Sequence, residues 1–88
     1  MNYEDILKYN LMRLEDAFPN SKTSIGITKE QLAEYKQCSI STIDRAIMES
    51  DSSVIPDYIK GKGKNGRVFF PLLNIAMYLT DQTVKVVR

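Results

Sequence analysis

Two helix-start signals eleven residues apart constrain this chain more than any other feature it carries. Thr28 is followed three residues on by Gln31, the pattern of a capping box, in which each end of a helix start satisfies the other's free N–H. Ser39 stands directly before a second apolar period. Between the two caps there is room for a helix of only about two turns. The stretch Ile27-Thr-Lys-Glu-Gln-Leu-Ala-Glu-Tyr-Lys-Gln-Cys-Ser-Ile-Ser-Thr-Ile-Asp-Arg-Ala-Ile47 therefore reads as two short helices joined by a tight turn. In the first, Leu32 and Ala33 face inward and Tyr35 closes the run. In the second, from Ile40 to about Met48, Ile43, Ala46 and Ile47 form the buried side and leave Ser41, Thr42, Asp44 and Arg45 outward.

The polar run Glu49-Ser-Asp-Ser-Ser53, with Pro56, reads as the loop leaving this helix pair. Tyr58-Ile-Lys60 and Arg67-Val-Phe-Phe70 then read as two strands, and Asn65-Gly66 between them is a favoured tight-turn dipeptide. The hairpin tip, Lys60-Gly-Lys-Gly-Lys-Asn-Gly-Arg67, is basic. Pro71 suits a helix start, and Leu72, Ile75, Ala76 and Leu79 give that last helix its inward stripe. At the other end, Tyr3, Leu7, Leu11, Leu14 and Phe18 recur at steps of three and four. Asn2 is its N-cap, Glu4 and Asp5 suit the positive end of the helix dipole, and Pro19 stops it. Lys22 to Ser24 is a polar linker, Ile25-Gly-Ile27 reads as a loop or a small strand, and Thr83 to Arg88 as a frayed end or an edge strand.

Eighty-eight residues support one small domain of the α+β class, mainly α. Its expected parts are an N-terminal amphipathic helix over 1–20 packed on the core, a helix-pair-and-hairpin domain over 25–80, and a C-terminal tail over 81–88. A single Cys38 excludes an internal disulfide, and with no histidine a structural zinc site is not expected, so no metal and no cofactor are expected. Cys38 reads as a packed thiol. The same shortage of nucleophiles and of paired carboxylates argues against an enzyme. No apolar run approaches the roughly 20 residues of a membrane span, and the acidic start is unlike a signal peptide; no membrane partner and a cytoplasmic setting follow as expectations.

The net charge of +1 conceals a strong asymmetry. Residues 1–20 carry two cations and four anions, residues 21–57 four and six, and residues 58–88 six and one, or −2, −2 and +5. A short helix pair followed by a cationic hairpin can set a helix in a DNA major groove and the hairpin on the neighbouring backbone. Gly61-x-Gly63-x-x-Gly66 matches the dinucleotide-binding spacing, but a strand follows it where that fingerprint needs a helix.

The order of elements from about Ile27 to Leu79, some 60% of the chain, resembles the excisionase/AlpA-type, MerR-like winged helix-turn-helix family of small DNA-binding proteins. The residues that carry the resemblance are Thr28-Lys-Glu-Gln-Leu-Ala-Glu-Tyr35, the turn ending in Ser39, Ser41-Thr-Ile-Asp-Arg45, and Arg67-Val-Phe69 leading into the last helix. It implies a winged helix-turn-helix with a small β-hairpin wing and an extra N-terminal helix. The second helix of the pair would read the major groove through Ser39, Ser41, Thr42 and Arg45. The wing would grip the backbone through Lys60, Lys62, Lys64, Asn65 and Arg67. Double-stranded DNA is then the partner, in transcriptional regulation or as an excisionase-like recombination factor beside a recombinase. A plasmid or phage replication or partition accessory role, beside a replication protein, uses the same surface. A protein–protein module with the apolar last helix as interface is the alternative from another class.

Three departures from the family pattern matter. Lys36-Gln37 stands where the family has Leu-Gly, and a left-handed turn residue other than glycine costs about 1 kcal/mol, which would reshape the turn. Asp44 stands on the reading face and repels phosphate unless Arg45 or a base amino group pairs with it. Leu73, Met77 and Tyr78 give the last helix a second apolar face. Cover for that face comes from the N-terminal helix of the same chain, the arrangement the short linker favours, or from a second copy in a homodimer. Arg45 also lies four residues before Glu49, the spacing of a helix ion pair that would take it out of DNA reading.

Overall fold

The computed structural model describes residues 2–21, 25–61 and 67–82. Among the described residues, four α-helices and one antiparallel strand pair follow in the order α1 (Tyr3–Ala17), α2 (Lys29–Lys36), α3 (Ile40–Glu49), β1 (Ile59–Lys60), β2 (Val68–Phe69) and α4 (Leu72–Gln82). The class is α+β and mainly helical.

Local chemistry sets the helix starts. The Asn2 side chain accepts from Asp5 N–H at 2.9 Å. Thr28 Oγ1 accepts from Gln31 N–H at 3.1 Å while Gln31 Oε1 accepts from Thr28 N–H at 3.0 Å, a complete capping box. Ser39 Oγ accepts from Thr42 N–H at 3.2 Å. α1 stops at Ala17, Phe18 caps it, and Pro19–Ser21 forms a single 3₁₀ turn.

Both helices of the central pair end in a left-handed residue, Gln37 (φ 58°) and Ser50 (φ 52°). At each end the two hydrogen bonds of a Schellman cap are present. Cys38 N–H donates to Ala33 O and Gln37 N–H to Glu34 O; Asp51 N–H donates to Ala46 O and Ser50 N–H to Ile47 O. The turn after α2 is therefore left-handed, with glutamine rather than glycine at the left-handed position. The side-chain strain is borne rather than avoided.

The strands are shorter than the sequence suggests. Ile59 pairs with Phe69 and Lys60 with Val68, and Gly61 N–H extends the pairing to Arg67 O at 2.8 Å. Ile27 joins the hairpin by an isolated bridge, exchanging two hydrogen bonds with Phe70 at 2.8 and 2.9 Å. Gly26 (φ 153°) makes that approach possible. A Cβ there would lie 2.5 Å from the Phe70 carbonyl carbon and oxygen and 2.7 Å from Pro71 N.

One core unites these pieces. Leu14 of α1, Ile27, Leu32 of α2, Ile43 of α3, Phe70 after β2 and Ile75 of α4 are all fully buried. α1 lies against α4, with Leu7, Leu11 and Phe18 half-buried beside Leu14. Asn10 Nδ2 donates to the buried Thr80 Oγ1 at 3.0 Å, and the Thr80 hydroxyl in turn donates to Ala76 O. Tyr3, first in the apolar stripe, is half-exposed. α4 runs on to Gln82, past the start expected for the tail; Thr83 to Arg88 lie outside the described residues.

Candidate nucleic-acid interface

The faces of α3 follow from its 3.6-residue period. Ile43 and Ala46 are buried and Ile47 is half-buried, so the opposite side, Ser41, Asp44, Arg45 and Met48, points to solvent. Ser39 and Thr42 flank its start, both exposed, with their hydroxyls 3.0 Å apart. Thus Ser39, Ser41, Thr42 and Arg45 are all accessible on one helix and its cap.

Charge on this face is settled by a neighbour that no sequence pattern marks. Lys29, the first residue of α2, donates from Nζ to Asp44 Oδ1 at 2.7 Å. This hydrogen bond, ahead of the Coulomb attraction, raises the Lys29 pKa. Asp44 is thereby compensated, though through neither of the partners the sequence offered. Arg45 forms no ion pair with Glu49: among the described residues, Lys29–Asp44 is the one ion pair within 4 Å. A helix-to-helix pair between residues fifteen positions apart has no local spacing signature. Only the capping geometry, which places residue 29 in the first turn of α2, hints at it.

Lys36, the last residue of α2, also acquires a role. Lys36 Nζ donates to Val54 O and to Tyr78 Oη at 3.3 Å, and lies 4.9 Å from the centre of the Tyr78 ring. Tyr78 O–H is in reach of Val54 O at 2.8 Å and Ser53 O at 3.0 Å. This node fastens the loop after α3 to both α2 and α4. Asp51 organises the same loop, accepting from Ser53 N–H at 3.0 Å and from the Ser53 hydroxyl; these hydrogen bonds hold its carboxyl below the ordinary range.

At the hairpin, Lys60 and Arg67 are exposed at the ends of the paired strands, joined through Gly61. Lys62, Lys64 and Asn65, also expected in the wing, lie outside the described residues. Tyr58 packs its ring on Phe70, centroids 5.8 Å apart, which makes it a support for the hairpin base. Cys38 is half-buried against the core.

Among the described residues, no three His, Cys, Asp or Glu side chains are grouped to hold a metal, and no helix is long and apolar enough to cross a membrane. No protein-family model, curated protein or solved structure matches the chain.

Proposed function

We infer that this protein binds double-stranded DNA as a winged helix-turn-helix, with α3 in the major groove and the basic hairpin on the phosphate backbone. The observation that carries the reading is the Lys29–Asp44 pair. It compensates Asp44, one of the two exposed carboxylates of α3 beside Glu49, and Arg45 has no ion-pair partner among the described residues. An unpaired arginine on an exposed helix face can hydrogen-bond guanine in the groove or a phosphate at its edge. Lys60 and Arg67 add exposed positive charge at the hairpin, and Lys62 and Lys64 lie between them in sequence. The biological setting we propose is regulation of transcription or assistance to a recombinase, with replication or partition on repeated sites as the nearest variant.

A protein-binding role for α4 has one specific observation in its favour: Leu73 is half-exposed on that helix. A single apolar side chain is a small anchor for a partner, and DNA remains the better reading.

The test is a salt-titrated binding measurement on duplex DNA, including the region upstream of the protein's own gene. Replacing Lys60, Lys62, Lys64 and Arg67 together by Ala should weaken binding. It should also flatten the slope of log affinity against log salt, by up to about 0.9 for each phosphate that is no longer neutralised. Arg45→Ala should cost about 1–3 kcal/mol on a preferred site if it reads a base. A folded wild-type protein with no affinity for any duplex at low salt would refute the proposal.

A further inference from the structure

Met48 is the most exposed large hydrophobic side chain among the described residues, at 85%, and it stands on the same outward stripe of α3 as Ser41, Asp44 and Arg45. Ile40, at the opposite end of the helix, is 42% exposed beside the Ser39 cap. The helix thus presents an apolar group at each end and, between them, a hydroxyl, a carboxylate paired with Lys29, and a guanidinium with no ion-pair partner among the described residues. A face built only to attract phosphate gains nothing from two large apolar side chains. A face that reads base edges does, because in the major groove thymine alone offers a methyl group.

We propose that Ile40 and Met48 are specificity residues that read the 5-methyl groups of thymine. The proposal rests on the DNA-binding reading above and deepens it by naming the chemistry recognised. Ile40 and Met48 are eight residues apart, about 12 Å along the helix axis. With roughly 3.4 Å between successive base pairs, the two methyls recognised lie about three to four base pairs apart when the helix follows the groove. Arg45, between them, addresses a guanine or a phosphate in the intervening steps. Asp44, held by Lys29, is kept from repelling the backbone while the two apolar ends make contact.

The experiment first selects preferred duplexes from a random pool with the wild-type protein. Each thymine in the selected site is then replaced, one at a time, by deoxyuridine. That exchange removes one methyl group and leaves hydrogen bonding and phosphate charge unchanged. Two positions, three or four base pairs apart, should each lose about fourfold in affinity, the factor that about 0.8 kcal/mol for one buried methyl represents. In Met48→Ala the loss at one position should vanish, and in Ile40→Ala the loss at the other. Both side chains are exposed, so neither variant should unfold. Sequence-selective binding that is indifferent to every deoxyuridine would overturn the methyl reading while leaving DNA binding intact. A methyl effect that survives in both variants would overturn the assignment to these residues. Absence of binding to any duplex would overturn this inference together with the function it rests on.

Discussion

Lys29 and Asp44 join the two helices of the central pair at 2.7 Å, with side chains 32% and 51% exposed. Such an exposed pair adds little to stability, less than about 1 kcal/mol. Its consequence is electrostatic and local. Lys29→Ala leaves Asp44 uncompensated on the outward face of α3, and duplex affinity at low salt should fall with little change in thermal stability. Asp44→Asn removes the carboxylate and releases Lys29, so affinity should rise and the salt dependence should steepen. Opposite shifts in the two variants, measured by fluorescence anisotropy, are the expected result; equal shifts would remove the pair from the interface.

Gln37 offers a stability test that does not depend on function. Its φ of 58° places a side chain in left-handed backbone, within the Schellman cap that ends α2. Gln37→Gly relieves that strain and should raise the free energy of unfolding by about 1 kcal/mol, less the added entropy of the unfolded chain. Urea denaturation measures it. A fall in stability would mean that the Gln37 side chain itself supports the turn.

Gly26 should tolerate nothing larger. An added Cβ would sit 2.5 Å from the Phe70 backbone, so Gly26→Ala must break the Ile27–Phe70 bridge or shift α2. The expected cost is about 2–4 kcal/mol, from steric overlap together with an unfavourable φ. Unfolding midpoints close to wild type would contradict the bridge.

Leu14→Ala empties a fully buried position where α1 meets α4 and should cost about 2–5 kcal/mol. Leu11→Ala, half-buried one turn away, should cost less. Sedimentation distinguishes the packing arrangements. The expected species is a monomer in wild type and variants alike, and a wild-type dimer converted by Leu14→Ala to folded monomers would make α1 a dimerisation arm.

Asp51 gives a pH signature. Hydrogen bonds from Ser53 lower its pKa from the ordinary 3.8, so the folded state favours the carboxylate. The sign follows: this contribution is fully present above the ordinary carboxyl range and is lost as pH falls through the lowered value. Asp51→Asn should narrow the gap between the neutral and acid stabilities of the domain. Circular dichroism melts between roughly pH 6 and pH 2, which bracket the carboxylate range, would show it.

The helices and their starts were legible in the sequence because their causes are local. Asn2, Thr28 and Ser39 cap by reaching N–H groups three residues away, and Leu32, Ile43 and Ile75 reveal their faces by period alone. Such interactions are written within a single turn of chain. The residues on the outward face of α3 were legible as types, yet their states were not. Arg45 has Glu49 at ion-pair spacing and does not bind it, whereas Asp44 finds Lys29 on another helix. Lys36 satisfies its charge on Val54 and Tyr78, eighteen and forty-two residues onward. The cover of α4 by α1 and the close approach of Gly26 to Phe70 likewise depend on where separate elements meet. Capping and periodicity are short-range and survive in one dimension. Which charge pairs with which, and which apolar groups stay in water, is decided only when packing brings distant residues within a few ångströms.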